Sequence, residues 1–455
     1  MTSPASSVPR LEKLLGAGQV RTDPAELASY AVDGCIPSAV VQPADAAAVA
    51  EVVRFAAAEK LALIPCGART KLSIGMPPSR YDLAVDLRRL KSVAHYDPGD
   101  LTLSVDAGMP LAEIEPLLAA HGQFLPLAVP FWARTTAGGT IASGVDSPLR
   151  QFYGSPRDFL LGMEFVSGSG ARTKSGGRVV KNVTGYDLHK LLAGSLGTLG
   201  IITRIHFKTF PLLPERRGFL AAFSELATAL DFRRRIAASP LSPSTLDLLS
   251  PEAASLFVPH SPGDWFSSGR WMLLAGYGGE PVVLARYERD LARLAQESAA
   301  IGTAVLDDAA RSLVWDRLRE AVPLFLEASP AATILKVTLL PAQLREALDL
   351  LLATARDGAL PAAVLARAMG IVYFALLPNS AGGDTLEKLA RFCDSAFTLA
   401  QALGGHVSIP WCPLELKRRV NVWGPSRGDF ALLQRVKNVF DPAGIFSPGR
   451  FVGAL

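Results

Sequence analysis

The sequence predicts an α+β fold in two parts, and three observations carry that prediction. A strand–helix–strand signature opens the chain, strand–helix pairs repeat through its middle, and its end returns to Pro, Gly and Trp. SAVVQP (38–43) reads as a strand, ADAAAVAEVVRFAAAEK (44–60) as an Ala-rich helix and LALIP (61–65) as a buried strand. That is the βαβ unit of a parallel sheet with helices packed outside it. DLTLSVDAG (100–108) reads as a further strand, and PLAEIEPLLAAHG (110–122) as a helix with Leu111, Ile114, Leu117 and Leu118 on one face. FLLGMEFVSGSGARTKSG (159–176) reads as two strands around a Gly-Ser-Gly turn.

The texture changes after PLLPERRG (211–218). RWMLLAGY (270–277), ATILKVTLLP (332–341) and IVYFALLP (371–378) read as strands, each followed by an amphipathic helix. Leu284, Tyr287, Leu291 and Leu294 mark the first of these helices, and Leu344, Leu348 and Leu351 the second. The third should start at DTLE, with Asp384 as cap and Glu387 reaching back. An open sheet with helices on one face follows from this alternation. The expected divisions are 1–212, 213–405, and a C-terminal segment 406–455 that returns to the first part. The turn signals DPAG and SPGR in VKNVFDPAGIFSPGRF (436–451) suit an extended tail.

Composition narrows the function classes. The chain has 455 residues, of which 49% are hydrophobic and 19% charged, a globular balance. A net charge of +4 is too small to point to nucleic acid or an anionic membrane. No apolar run approaches the ~20 residues of a membrane span, and MTSPASSVPR lacks a signal-peptide layout, so a cytoplasmic protein is expected. Cys35, Cys66, Cys393 and Cys412 are scattered and form no CxxC pair, so neither an iron–sulfur cluster nor a structural zinc is expected. The histidines are equally dispersed, and no metal site is announced.

Three glycine-rich segments carry the chemistry. In PCGARTKLSIG (65–75), Gly67 and Ala68 allow close backbone approach to a phosphate, Thr70 and Ser73 offer hydroxyls, and Arg69 and Lys71 add charge. It matches neither GxGxxG nor GxxxxGK[ST]. TTAGGTIASG (135–144) places adjacent glycines before a small-residue helix, whose N–H groups could face an anion. KNVTGYDLHKLLAGSLGTLGIIT (181–203) punctuates a short helix with glycines and runs into a strand; close helix–strand packing alone also accounts for these.

Taken in order, a strand–PxGxxT loop, a TxGGxxAxG segment and GYDLxKLLxGSxGTLGIIT resemble the FAD-binding domain of the vanillyl-alcohol oxidase type, also called the PCMH type. The resemblance covers about residues 35–212 and recurs at FDPAGIFSPGR. Within that superfamily, RVVKNVTGYDLHKLLAGSLGTLGIIT and GGHVSIPWCPLELKRRVNVWG (404–424) are most similar to the glycolate oxidase subunits, the E subunits in particular. The resemblance implies a PCMH-type FAD domain formed by both ends of the chain, with residues 213–405 as a cap over the flavin.

Carried over by position, Cys66, Gly67, Ala68, Arg69, Thr70 and Lys71 would hold the pyrophosphate. Thr135, Thr136, Gly138, Gly139, Thr140, Ser143 and Gly144 would line the diphosphate, ribityl chain and flavin edge. Tyr153 and Gly154 match the family's YG, and Gly200, Ile201 and Ile202 would make backbone contacts on the adenine side. Covalent relatives have a histidine in the first loop; this loop has none, so the FAD is expected to be non-covalent. Ala68 and Arg69 also stand where many relatives have glycine.

Relatives that oxidise 2-hydroxy acids bind a metal through GDGNxH-like and EHG-like segments. The corresponding strand here, RAMGIVYFALLP (367–378), has neither His nor Asp, and no EHG occurs. Such an oxidation needs a base, a cationic anchor for the carboxylate and hydride delivery to the flavin. His406 is the candidate base, and Arg367 or Lys417 the candidate anchor. The resemblance implies a subunit that oxidises glycolate to glyoxylate, with a second FAD subunit and an iron–sulfur subunit as partners and the membrane reached only through them. A non-catalytic FAD-binding or relay subunit, and a stand-alone oxidase of an alcohol or sugar acid, are the alternatives. Trp411 and Trp423 are expected to pack on the FAD domain, or else to form a docking patch.

Overall fold

The computed structural model describes residues 7–178, 185–258, 269–426 and 428–455. The first part of the KNVTGYD segment lies outside the described residues. Two sheets build the N-terminal unit. The first comprises β1 (Val20–Arg21), β2 (Ala39–Val41), β3 (Leu63–Cys66) and β4 (Leu83–Asp86), in the order β1-β2-β4-β3. The helix Ala46–Glu59 crosses between β2 and β3 as the sequence predicts, but β4 slots between them, parallel to both. Asp45 starts that helix by accepting from Ala47 N and Ala48 N, each at 2.8 Å. Its buried face is Val49, Ala50, Val52, Val53 and Ala56.

The second sheet is antiparallel: β5 (Val93–Asp97), β6 (Thr102–Asp106), β8 (Leu160–Val166), β9 (Arg172–Gly176) and β10 (Ile201–Lys208), in the order β5-β6-β10-β8-β9. The β8–β9 pair is the predicted hairpin. Helix Leu111–Ala119 packs Leu111, Ile114 and Leu118 inward; Leu117 is only partly buried. The short strand β7 (Gln123–Phe124) pairs with β11 (Phe210–Pro211).

The second unit is one antiparallel sheet made of β12 (Glu215–Phe223), β13 (Thr245–Leu249), β14 (Trp271–Gly279), β15 (Gly302–Leu306), β16 (Thr333–Thr338), β17 (Ala362–Arg367), β18 (Ile371–Leu376) and β19 (His406–Trp411). The order is β15-β12-β14-β13-β17-β18-β16-β19. The long helices Leu226–Ala237, Pro281–Glu297, Leu344–Asp357 and Gly383–Ala402 bury their apolar stripes against one face. The opposite face is not bare. The helices Pro251–Phe257, Asp308–Arg319 and Ala321–Ala328 pack there with Ile74 and Val145 of the N-terminal unit.

Three expectations need correction. The helix after β18 is capped by the backbone of Gly382 with no side-chain cap bond, while Asp384 sits inside its first turn and pairs with Lys388 at 2.8 Å. Strand β19 belongs to the second sheet, so the return of the tail begins after residue 411 rather than at 406. Trp411 is a core residue of that sheet, 3% exposed, whereas Trp423 packs on Phe451 and donates to Arg450 O at 3.0 Å.

The tail itself joins the first sheet. Leu63 N donates to Ile445 O at 2.7 Å, and Ser447 N donates to Leu63 O at 2.8 Å, placing Phe446 beside β3. Lys437, 7% exposed, fixes this arrangement by donating to Asp441, Thr198 O and Phe446 O at 2.6–2.9 Å.

Candidate functional site

One cleft gathers the glycine-rich segments. Its first wall is the loop leaving β3, where Cys66, Gly67, Ala68, Arg69, Thr70 and Lys71 all line the opening. The amide N–H groups of residues 67–71 donate to no acceptor among the described residues, which leaves them free for oxygens of a bound group. Arg69 holds φ +64°, a conformation glycine adopts without strain, and its guanidinium lies 4.1 Å from the centre of the Tyr30 ring. Its Nη1 is buried without a partner. A buried donor left unpaired costs free energy, so that atom marks a place for an anion.

The second wall is Thr135, Thr136, Gly138, Gly139 and Ser143. Thr136 caps the helix Ala137–Ser143 by accepting from Gly139 N at 3.3 Å. Here the geometry departs from expectation. Ala137 N donates to Met109 O at 2.9 Å and Gly138 N to Ala107 O at 2.7 Å, so the helix's first donors are spent on the sheet. The free donors lie across the cleft on residues 67–71. A Cβ on Gly67 would collide with Thr136 Oγ1, and one on Gly138 would sit 2.7 Å from Ala107 Cβ. The two walls therefore meet at Gly67, while Gly138 lets the second wall lie against Ala107 of the sheet, and larger residues at either position would force a shift.

The third wall is Leu196, Gly197, Gly200 and Ile202, with Arg450 from the tail. Arg450, 3% exposed, donates to Ile74 O at 2.7 Å and to Leu72 O, fastening the tail to the first loop. Arg450, Leu196 and Gly197 are absent from the residues picked by sequence; the SPGR turn and the GSLG phrase hold the signal for them.

Five picked residues do not line the cleft. Thr140 is buried beneath it, bonded to Thr136 O at 2.9 Å. Gly144 ends the helix against Gly194, and Ile201 points into the core of the first sheet. Tyr153 packs on Phe124 and Phe210 at 5.3 and 5.1 Å, and Gly154 abuts Asp158.

Lys71 is a strongly perturbed cation in the cleft. It is 8% exposed, and its ammonium donates to Thr135 Oγ1 and to Pro130 O at 3.2 Å. Burial pushes its pKa down to about 7, with Glu320 pulling the other way. The second unit clamps the same loop from outside: Glu320 accepts from Phe131 N and Trp132 N at 2.7 and 2.8 Å. Asp146, 3% exposed, forms ion pairs with Arg150 and with Lys336 of β16. Burial opposes its charge, yet Lys336 and Arg150 hold its carboxyl below the ordinary range.

The three residues proposed for substrate chemistry part company. Lys417 is buried with its donors on both oxygens of Asp33 and on Ser73 O, so it is a structural cation and no substrate anchor. His406 is exposed at the start of edge strand β19, opposite Thr338, and does not line the cleft. Arg367 faces the N-terminal unit, 8% exposed, in a small cavity with Asp146, Pro130 and Tyr373. Its Nη1 lies 3.9 Å from Asp247, whose pKa burial pushes up to about 6 against the pull of Arg367. Among the described residues no group of three His, Cys, Asp or Glu could hold a metal ion, all four cysteines are free, and no helix is long and apolar enough to cross a membrane.

The residues fit a flavin nucleotide: free amides and an unpaired guanidinium for the diphosphate, and hydroxyls on the facing wall. Apolar Leu196 and Ile202 suit a planar ring. Comparisons agree. The FAD binding domain family matches residues 37–176, and the C-terminal domain of FAD linked oxidases matches residues 213–451. Glycolate oxidase subunit GlcE of Escherichia coli is 30% identical over 410 residues, 90% of this chain and 97% of that one. D-2-hydroxyglutarate dehydrogenase of Xanthomonas citri pv. viticola is 36% identical over 199 residues, 42% of each chain. In fold alone, p-cresol methylhydroxylase superposes with a TM-score of 0.79 at 16% identity, over 99% of this chain and 97% of that one. With both of its units matched, the chain belongs to the FAD-linked oxidases and is an FAD-dependent oxidoreductase.

Proposed function

We propose that this chain is the FAD-binding subunit of a glycolate-oxidase-like 2-hydroxy-acid dehydrogenase, taking glycolate to glyoxylate and passing electrons to partner subunits. The observation that carries the reading is the likeness to GlcE along 97% of that subunit's length, over a chain whose cleft suits the cofactor. Bound FAD supplies the hydride acceptor. The protein's own work is to hold it: amides 67–71 and Arg69 take the diphosphate, Lys71 and Glu320 fix the Pro130–Thr135 loop, and Arg450 closes the cleft from the tail. Arg367 serves as the cation that faces a carboxylate; it borders the interface between the units, and its Nε and Nη1 make no hydrogen bond. Oxidation removes a hydride from the carbinol carbon and a proton from its hydroxyl, and the adjacent Asp247, pushed up to about 6, is suited to take that proton. A second FAD subunit and an iron–sulfur subunit would carry the electrons onward.

A second reading, a subunit that binds FAD but turns over no substrate, is favoured by the engagement of Lys417 with Asp33 and the edge position of His406. Anaerobic addition of glycolate to the flavin-loaded chain separates the two. Bleaching of the flavin band at about 450 nm supports the first; an unchanged spectrum that bleaches only with partner subunits present supports the second.

A further inference from the structure

A second cavity stands apart from the flavin cleft. It has a volume of 240 Å³, lies between the two units and shares no lining residue with that cleft. One wall is the helix Leu111–Ala119, presenting Leu111, Ile114 and Leu118. The opposite wall is the helix Asp308–Arg319, where Arg311, Trp315 and Arg319 recur every four residues and so share one face. Arg216 and Arg217 at the start of β12 add two more guanidiniums, while Glu115 is the one acid on the lining.

The carboxylates that pair with these arginines stand outside. Asp308 and Asp316, partners of Arg311 and Arg319 at 3.1 and 2.9 Å, have side chains 65% and 54% exposed. Within the cavity two polar atoms are buried without partners. They are Arg319 Nε, on a guanidinium lying over the Trp132 ring at 4.9 Å, and the hydroxyl of Tyr277, a residue 3% exposed. Tyr153 belongs to this cavity as well. An apolar wall facing a cationic wall with unpaired donors is complementary to a molecule with an apolar tail and an anionic head. At ~30 Å³ per water-sized group, the volume takes about eight groups, a tail of about seven carbons and one carboxylate.

We propose that this cavity is a binding site for a medium-chain carboxylate, its tail against the Leu111–Ala119 helix and its head on Arg311 and Arg319. The inference stands apart from the reading of glycolate as substrate and from the flavin cleft.

Calorimetric titration of the full-length, flavin-loaded chain with octanoate tests it, with hexanoate and octylammonium as comparison ligands. Octanoate should bind, hexanoate should bind about fourfold more weakly for each methylene lost, and octylammonium should give no saturable heat. Ile114→Trp, which fills the cavity, should weaken octanoate binding at least tenfold while leaving the flavin-to-protein ratio unchanged. Arg311→Leu with Arg319→Leu should do the same without adding bulk. Octylammonium binding as tightly as octanoate, no saturable octanoate heat, or binding that survives both variants would overturn the proposal. None of these outcomes bears on flavin retention, which reads separately from the absorbance of the same samples.

Discussion

Lys417 Nζ lies 3.0 and 2.8 Å from the two carboxylate oxygens of Asp33, a residue 384 positions earlier in the chain. The pair is buried, with the lysine side chain fully covered, and it ties the segment after β19 to the N-terminal unit. Removing one member of a buried pair strands the other charge, so Lys417→Met should cost about 3–5 kcal/mol of unfolding free energy. Adding Asp33→Asn should recover part of that loss. Urea unfolding of the single and double variants measures both. A loss below about 1 kcal/mol would return Lys417 to the list of substrate-binding candidates.

Lys71 makes flavin binding depend on pH. Its ordinary pKa is 10.5, and burial brings it to about 7 in the fold. Between those values the unfolded chain binds the extra proton, so this residue's contribution makes the protein more stable as pH rises from 7 towards 10. An anionic ligand in the cleft favours the charged lysine, and FAD binding above pH 7 should therefore take up a proton. FAD affinity should fall by up to about tenfold per pH unit above 7. Titrations at pH 8.5 in buffers of different ionisation enthalpy would show the uptake, and Lys71→Met should abolish it.

Gly67 faces Thr136 across the cleft with no room for a Cβ between them. Gly67→Ala should drive Thr136 from its capping position, at a cost of about 1 kcal/mol, and separate the two walls. The expected product is a folded, colourless protein. Far-ultraviolet circular dichroism and flavin absorbance on one sample would check it; a yellow Gly67→Ala protein would contradict the close approach.

Arg450 closes the cleft from the other end of the chain. Arg450→Met leaves the carbonyls of Leu72 and Ile74 unpaired, a loss of about 2 kcal/mol, and should weaken FAD binding by more than tenfold. Fluorescence titration with FAD gives the number directly. Unchanged affinity would make the tail a passenger.

Much of the fold was legible because its signals are local. The period of Leu284, Leu291 and Leu294 announces a helix wherever it packs, and the 159–176 hairpin carries its own turn. The insertion of β4 between β2 and β3 was not legible, since pairing order depends on partners distant in sequence. The cleft shows the same division. Gly67 to Lys71 and Thr135 to Gly139 sit in recognisable phrases, so type and spacing found them. Arg450 lies far down the chain; the SPGR phrase marks its segment, but only the tertiary return sets its side chain on the carbonyls of Leu72 and Ile74. The spent donors of Ala137 and Gly138 were hidden for a related reason: a TTAGG phrase does not reveal that Met109 and Ala107 carbonyls will lie against it. Tyr153 shows the converse failure, a residue in a familiar phrase whose ring joins Phe124 and Phe210 at a different cavity.

The most direct measurement is flavin stoichiometry: purified full-length chain, incubated with excess FAD and freed of unbound ligand, read by absorbance and protein concentration. The account predicts a yellow protein holding about one flavin per chain, released on denaturation because no residue of the first loop bonds to it. A chain that stays colourless after incubation, or a flavin that remains attached to the denatured polypeptide, would contradict it.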